Sequence, residues 1–121
     1  MNRKILVVDD SPSILLALQA GLENVGYEVT TAISGQSALQ QFHTNPSDLI
    51  ILDIAMPGMN GWEVYRQIRE TSTVPIIFLS GTHVSQEDIR KGLNMGTDAY
   101  LVKPVPLGNL LGCIQVALNP Y

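Results

Sequence analysis

The amino-acid sequence predicts an α/β domain with a doubly wound parallel sheet, and three observations support this fold class. Short runs of branched apolar residues recur along the chain, which is typical of strands buried on both faces of a sheet. Helical patterns with one apolar face separate these runs, so that five strand–helix repeats fill the 121 residues. The connections between them are short, which favours right-handed crossovers with helices on both faces of the sheet.

The first half of the chain contains three predicted strands and two helices. The run 5–8 is the first strand, and Ser11 is predicted to cap the helix that follows. Pro12 suits the first helical position, where a missing N–H costs nothing, and Gly26 is predicted to end the helix. The core-facing positions of this helix are Ile14, Leu15, Leu18, Leu22 and Val25. The remaining elements are an edge-like strand over 27–32, a helix from 34–35 to 45–46 and a buried strand over 49–52.

The second half repeats this alternation after a loop over 56–61. A helix with Val64, Tyr65 and Ile68 on its apolar face precedes a strand that ends at Ser80. Ser85, followed three residues later by an aspartate, resembles a capping box and starts a fourth helix that runs to 95–96. A fifth strand over 100–102 precedes the last helix, whose predicted core positions are Leu107, Leu110, Leu111, Ile114 and Leu118.

Composition restricts the class of protein further. The formal net charge of −4 argues against a nucleic-acid-binding surface on this domain. Cys113 is the single cysteine, which excludes a disulfide framework or a cysteine metal cluster and fits a reducing compartment. We find no signal-peptide pattern and no apolar run near the roughly 20 residues that a membrane helix needs. A soluble, cytoplasmic domain without membrane contact is expected.

Four charged residues follow the ends of predicted strands. Asp9 and Asp10 come after the first strand and Asp53 after the third, while Lys103 follows the fifth. The carboxyl ends of parallel strands lie along one edge, where open α/β sheets bind their ligands, so we expect these groups to converge. Carboxylates packed together repel one another unless a cation lies among them. The pattern predicts a divalent-metal site beside a lysine, suited to a phosphoryl group.

The predicted metal site has the oxygen ligands that Mg²⁺ prefers, and Mg²⁺ usually keeps several of its waters. Asp10 and Asp53 are predicted to bind the ion directly, and Asp9 through a water. A carboxylate is also a nucleophile toward phosphorus, and phosphoryl transfer needs little beyond positioning and charge neutralisation. Ser80, at the end of the fourth strand, offers a hydroxyl to a phosphoryl oxygen.

Other interpretations of the same residues are weaker. An aspartate pair or a strand-end serine is commonly structural, so only their shared placement favours a functional site. A phosphatase of the haloacid-dehalogenase type uses a second acid two residues after its nucleophile, and that position is Ala55. A P-loop enzyme needs a glycine-rich loop that ends in lysine and serine or threonine, and the sequence has none. A docking module that acts without phosphorylation remains the alternative.

Four motifs contain the residues discussed above. They are Val7-Val8-Asp9-Asp10-Ser11, the segment 53–61, Phe78-Leu79-Ser80 and Tyr100-Leu101-Val102-Lys103-Pro104. Together they resemble the motifs of the receiver domain of two-component response regulators, particularly the single-domain chemotaxis regulators. The resemblance covers the whole chain, so residues 1–121 are expected to form one receiver domain. It implies a flavodoxin-like (βα)5 fold with the strand order 2-1-3-4-5.

The resemblance also implies how the acidic site works. Asp53 would accept a phosphoryl group from a histidine kinase or a phosphotransfer protein. Mg²⁺ would be held by Asp9, Asp10 and Asp53 together with the backbone carbonyl of Ala55. Lys103 would pair with the phosphoryl group. Such a domain catalyses only its own phosphoryl transfer and dephosphorylation and is otherwise not an enzyme.

A switch follows from the charge that the phosphoryl group adds. It carries nearly two negative charges and three acceptor oxygens. The resemblance implies that Ser80 is the switch hydroxyl and that it moves toward the phosphoryl group together with Lys103. It also implies that Tyr100 is the switch aromatic, which turns inward. The face formed by the fourth helix, the fifth strand and the last helix would change and so control a downstream protein or output domain.

The last helix has an unusual outer face, because no charged residue occurs from Pro104 to Tyr121. An uncharged surface that the fold merely tolerates is one explanation. The other is a partner face, at which the last helix, together with the preceding strand and the fourth helix, binds a partner or forms a homodimer. The predicted residues of this partner face are Tyr100, Gly108, Gly112, Cys113 and Val116.

Overall fold

The computed structural model describes residues 3–54, 58, 61–80, 99–103 and 105–119, and residues 80, 99, 100 and 102 enter only as backbone. The strands are β1 (Lys4–Val8), β2 (Glu28–Ala32), β3 (Leu49–Asp53), β4 (Ile76–Ser80) and β5 (Ala99–Val102). Numbered over these residues, the helices are α1 (Pro12–Asn24), α2 (Gly35–Thr44), α3 (Gly61–Arg69) and α4 (Leu107–Leu118). The fourth helix predicted from Ser85 lies outside the described residues.

The five strands form one parallel sheet in the order β2-β1-β3-β4-β5. Successive side chains of a strand point to opposite faces, and here both faces are apolar. Leu6 and Val8 of β1 pack with α2 and α3 on one face, whereas Ile5 and Val7 pack with α1 and α4 on the other. This arrangement confirms the predicted doubly wound fold and its strand order.

Helix α1 starts and ends at the predicted residues, but its cap differs from the prediction. Pro12 is the first helical residue, and Gly26, with φ +102°, lies just beyond the end. The Ser11 side chain makes no capping hydrogen bond to the helix. Its hydroxyl instead pairs with that of Ser13, at 3.1 Å. Val25 was also predicted to face the core, and this is wrong, because 51% of its surface is exposed.

Helix α4 is held mainly by two of its five predicted core residues. Leu110 and Ile114 are buried, whereas Leu111 and Leu118 are partly buried against the same cluster. Leu107 is 38% exposed, and its methyl groups lie against the backbone of Gly21 in α1. Among the described residues, no helix is both long enough and apolar enough to cross a membrane.

Strand β2 lies at one edge of the sheet, as its threonines predicted. The Ala32 carbonyl accepts a hydrogen bond from the Asp9 N–H on the β1 side, so the preceding carbonyl points toward the open edge. This carbonyl, of Thr31, accepts a hydrogen bond from the Gln41 side-chain amide at 2.8 Å. A side chain of α2 therefore occupies part of the edge that no strand covers in the described residues.

Candidate functional site

Strand register places two acidic residues side by side at the carboxyl edge of the sheet. Val8 of β1 pairs with Leu52 of β3, so Asp9 and Asp53 follow at the same level. Asp9 is 2% exposed and Asp53 is 4% exposed, whereas Asp10 faces solvent. One carboxylate oxygen from each of the three lies within 4.8 Å of the other two. The strand order also reverses between β1 and β3, which is where α/β sheets bind ligands.

Lys103 reaches the acidic residues from the end of β5. Its Nζ donates a hydrogen bond to Asp9 Oδ2 at 2.6 Å and lies 3.6 Å from Asp53 Oδ2. The lysine side chain is only 20% exposed, so solvent screens these interactions less than it would a surface ion pair. One ammonium group therefore bridges the carboxylates at the ends of β1 and β3.

Asp9 has contacts at both of its carboxylate oxygens. While Oδ2 binds Lys103, Oδ1 accepts a hydrogen bond from the Ser11 N–H at 3.0 Å. The Asp9 backbone N–H donates to the Ala32 carbonyl of β2 at 3.1 Å. The carboxylate therefore has a fixed orientation at the start of α1, where it accepts the N–H of Ser11 itself, and the capping bond predicted for the Ser11 hydroxyl does not form.

The acidic cluster fits a hard divalent cation. Three carboxylates and one ammonium leave these four residues with an excess of negative charge, and two of the carboxylates are buried. Buried charges of one sign are costly unless something compensates them. Carboxylate oxygens are ligands that small divalent cations prefer, and the exposed position of Asp10 lets an ion keep part of its water. Asp9, Asp10 and Asp53 together could hold such an ion.

The other predicted site residues lie on or near the same edge. Ser80 is the last residue of β4 and pairs with Val102, which directly precedes Lys103. Tyr100 pairs with Phe78 in the middle of the β4–β5 ladder. Ala55, whose carbonyl was predicted to bind the metal, lies outside the described residues. The backbone thus places Ser80 at the edge that carries the carboxylates, whereas Tyr100 lies further back in the sheet.

Sequence reasoning missed the part that Gly61 plays at this site. The residue stands at the start of α3, and its N–H donates to the Ile54 carbonyl at 2.9 Å. A Cβ atom here would lie 2.5 Å from the Asp53 carbonyl oxygen and 2.6 Å from the Ile54 Cα. Only glycine fits this close approach of two backbones. The available signal was a glycine at the end of the loop that follows Asp53.

The predicted partner face is exposed on α4 except at one position. Gly108, Gly112 and Val116 are exposed, and Val116 is 70% exposed although it is apolar. Cys113 is half-buried and packs against the core cluster beneath the helix. The outward surface of α4 is therefore uncharged and combines small and apolar residues with the exposed amides of Asn109 and Gln115, with Cys113 at its margin.

The fold and the site together define a flavodoxin-like domain with an acidic cluster and a lysine at its switch point. Residues 5–115 match the family model described as the response regulator receiver domain. The alkaline phosphatase synthesis transcriptional regulatory protein PhoP of Bacillus subtilis is 43% identical over 105 residues, which are 86% of this chain and 43% of that protein. A probable transcriptional regulator of Guillardia theta, ycf27, is 45% identical over 118 residues, covering 98% of this chain and 46% of its own length.

Solved structures give the same result. The chemotaxis protein CheY4 of Vibrio cholerae superposes with a TM-score of 0.90 at 37% identity, covering 98% of this chain and all of that one. A receiver domain protein from Clostridium thermocellum superposes with a TM-score of 0.89 at 34% identity, covering 98% of this chain and 95% of that one. The chain therefore belongs to the response regulator receiver domain family. It is a phosphorylation-controlled signalling switch rather than a classical enzyme, and it spans less than half the length of these curated relatives.

Proposed function

We propose that Asp53 accepts a phosphoryl group from a histidine kinase or a phosphotransfer protein, in a reaction that requires Mg²⁺. The observation that carries this proposal is the buried Asp53 carboxylate beside Lys103 and two further carboxylates. A carboxylate oxygen of Asp53 forms a bond to phosphorus while the bond from phosphorus to the donor breaks. The electron pair of that bond stays with the leaving group, and Asp53 becomes an acyl phosphate.

The contacts of the three carboxylates favour Asp53 as the acceptor. Asp9 is engaged at both oxygens, by Lys103 and by the Ser11 N–H, and these contacts orient it as a supporting residue. Asp10 faces solvent and is best placed to hold a hydrated ion. The Oδ2 atom of Asp53 is 3.6 Å from the Lys103 Nζ, so phosphoryl oxygens added at Asp53 would lie within reach of this ammonium group. This division of roles agrees with the resemblance of the motifs.

Lys103 changes its partner in the proposed switch. In the unphosphorylated protein its shortest contact with a described residue is that with Asp9, at 2.6 Å. A phosphoryl group on Asp53 adds nearly two negative charges within reach of this ammonium, together with acceptor oxygens for charge-assisted hydrogen bonds. Lys103 and the Ser80 hydroxyl would move toward it. The ends of β4 and β5 then shift together, because Ser80 and Val102 are paired.

We assign the metal to Asp9, Asp10, Asp53 and the carbonyl of Ala55. When bound, Mg²⁺ supplies positive charge that neutralises the phosphoryl oxygens during transfer. The same residues would support dephosphorylation of Asp53 within the domain. The proposal places the reaction in the cytoplasm and gives the domain a downstream protein or an output domain as its partner, without contact to nucleic acid or membrane. The site and the resemblance support the metal assignment, and the net charge of −4 supports a surface that does not bind nucleic acid.

Treatment with acetyl phosphate tests the proposed function directly. In the presence of Mg²⁺ the intact protein should gain the mass of one phosphoryl group and migrate more slowly on a Phos-tag gel. The gain should disappear when EDTA replaces Mg²⁺. No adduct in Mg²⁺ with acetyl phosphate, followed by none with a panel of phosphorylated kinase domains, would contradict the proposal.

Substitution of Asp10 with Asn should weaken Mg²⁺ binding at least about tenfold, because the exposed carboxylate is the ligand best placed to meet a hydrated ion. The affinity can be measured by calorimetric titration or by fluorescence of the single tryptophan, Trp62. Glu23→Gln removes an exposed carboxylate from α1 and serves as the control. Equal Mg²⁺ affinities for Asp10→Asn and wild type would remove Asp10 from the ligand set.

The partner face can be tested at Val116, the most exposed large apolar residue in the part of the chain that the structure describes. We expect Val116→Glu to reduce phosphorylation-dependent self-association or partner binding, because a charge on the outer face of α4 opposes apolar burial. Sedimentation velocity with and without acetyl phosphate measures the effect. Leu16→Glu, which changes a 67% exposed residue on α1, is the matched control. If both variants behave like wild type and the phosphorylated protein still associates, α4 is not the interface.

A further inference from the structure

We propose that Gly61 and Trp62 are positioning residues for phosphorylation, because the first turn of α3 fixes the ends of β3 and β4 relative to each other. Our proposal rests on the function proposed above, with Asp53 as the acceptor and Ser80 as the switch hydroxyl. Neither Gly61 nor Trp62 would touch the phosphoryl group. They would act through the backbone that carries Asp53 and through the strand that carries Ser80.

Gly61 connects α3 to the end of β3. Its N–H donates to the Ile54 carbonyl, and its Cα lies so close to the backbone of Asp53 and Ile54 that no Cβ fits. The atoms that a Cβ would meet are backbone atoms, which cannot rotate away as the end of a side chain can. Any side chain at this position must therefore move the start of α3 away from Asp53, or move the backbone of Asp53 itself.

Trp62 connects the same turn to β4. Its ring centroid lies 4.7 Å from that of Phe78, which belongs to the core cluster under α2 and α3, and Trp62 itself is partly buried against this cluster. Phe78 is fully buried, pairs with Leu52 directly before Asp53, and lies two residues before Ser80 on β4. Two consecutive residues of α3 thus contact the two strands that end in the proposed acceptor and in the proposed switch hydroxyl.

The far end of α3 prevents the helix from sliding to relieve a change at its start. Arg69 Nη1 donates to the carbonyl of Val74, two residues before the start of β4, at 2.6 Å, and its guanidinium lies 5.0 Å from the Tyr65 ring centroid. The Tyr65 ring also packs on Phe78, with the centroids 5.6 Å apart. Since α3 is attached at both ends, a displacement at Gly61 has to appear at Asp53 or at Phe78.

The expected consequence is a loss of phosphorylation rate in a folded protein. A displacement of about 1 Å at a reacting group can lower a rate about a hundredfold. We therefore expect Gly61→Ala to slow phosphorylation by acetyl phosphate and Mg²⁺ by about ten- to a hundredfold. Trp62→Leu, which keeps an apolar side chain but removes the ring that packs on Phe78, should reduce the rate by a smaller factor.

The control is Leu39→Ala, which truncates a partly buried residue that packs against the same core cluster from α2. Initial phosphorylation rates, thermal unfolding and the amide NMR shifts of Asp53 and Lys103 in EDTA are measured for all variants. Positioning predicts slower phosphorylation and shifted Asp53 amides for Gly61→Ala and Trp62→Leu. Leu39→Ala should lose thermal stability while keeping the wild-type rate and the wild-type Asp53 shift.

Other outcomes overturn the inference. If Gly61→Ala is folded and reacts at the wild-type rate, Gly61 does not position Asp53. If Gly61→Ala fails to fold, the phosphorylation rate of Trp62→Leu decides the question. A loss of rate in Trp62→Leu that is no greater than the loss in Leu39→Ala would show that Trp62 has a purely structural role. If wild type takes no phosphoryl group, the proposed function fails separately. The Asp53 amide shifts in EDTA then still decide whether the first turn of α3 sets the position of Asp53.

Discussion

Replacement of Asp53 with Asn is expected to reduce phosphoryl uptake below detection. The amide has the size and shape of the carboxylate but lacks its nucleophilic oxygen, so the acyl phosphate cannot form. Asp53 is 4% exposed and shares its edge with two other carboxylates, so loss of its charge should not weaken the fold. Intact mass and peptide mass spectrometry after acetyl phosphate and Mg²⁺ measure the adduct and its position.

The control for this prediction lies at the other end of the same strand. Asp48 directly precedes β3, is exposed, and accepts a hydrogen bond from the Lys4 backbone N–H at 2.8 Å. An amide oxygen can accept the same bond, so Asp48→Asn should be phosphorylated like wild type. An adduct that persists in Asp53→Asn and maps to Asp9 or Asp10 would mean that another carboxylate is the acceptor.

Replacement of Lys103 with Met should lower the free energy of unfolding of the metal-free protein by about 3 kcal/mol. Removal of one partner from a buried ion pair leaves a buried charge without compensation, which typically costs about 3–5 kcal/mol. We expect the lower end of this range of free energy, because the Lys103 side chain keeps 20% of its surface exposed. Methionine retains most of the aliphatic length, so the change reports mainly the lost charge. Urea unfolding in EDTA measures it.

Two further variants separate charge from packing in this prediction. Lys4→Met changes an exposed lysine whose Nζ contacts Asn45, and it should shift stability by no more than about 0.5 kcal/mol. The double variant with Lys103→Met and Asp9→Asn should recover much of the loss, because the 2.6 Å pair is then removed as a whole. Equal effects of Lys103→Met and Lys4→Met would show that the ammonium does not stabilise the cluster.

The sequence was sufficient to predict which acidic residues meet, because the order and the ends of the strands determine which side chains come together at the edge of the sheet. Asp9 and Asp53 each follow a continuous apolar run, and parallel strands bring such ends to one edge. The choice of partner for Lys103 could not be predicted in the same way. Its pairing with Asp9 rather than Asp53 depends on how a long side chain crosses from β5 to β1, and residue order carries no such information.

Two local errors have a similar cause. The Ser11 cap was predicted from residue type alone, but the Asp9 carboxylate accepts the Ser11 N–H and the hydroxyl pairs with Ser13. Gly61 was treated as part of a loop, since its importance lies in a contact with a backbone seven residues earlier. Competition between nearby polar groups and the close approach of two backbone segments can be recognised only in the three-dimensional structure.

The Gln41 amide on the Thr31 carbonyl has a consequence for the crowded interior of a cell. A sheet edge with open backbone groups is a template on which a strand from another molecule can grow, and native proteins commonly obstruct it. Here an invading strand would first have to displace the amide and leave it without its 2.8 Å acceptor. At the β2 side, this hydrogen bond therefore obstructs one of the backbone carbonyls with which a strand from another molecule would have to pair.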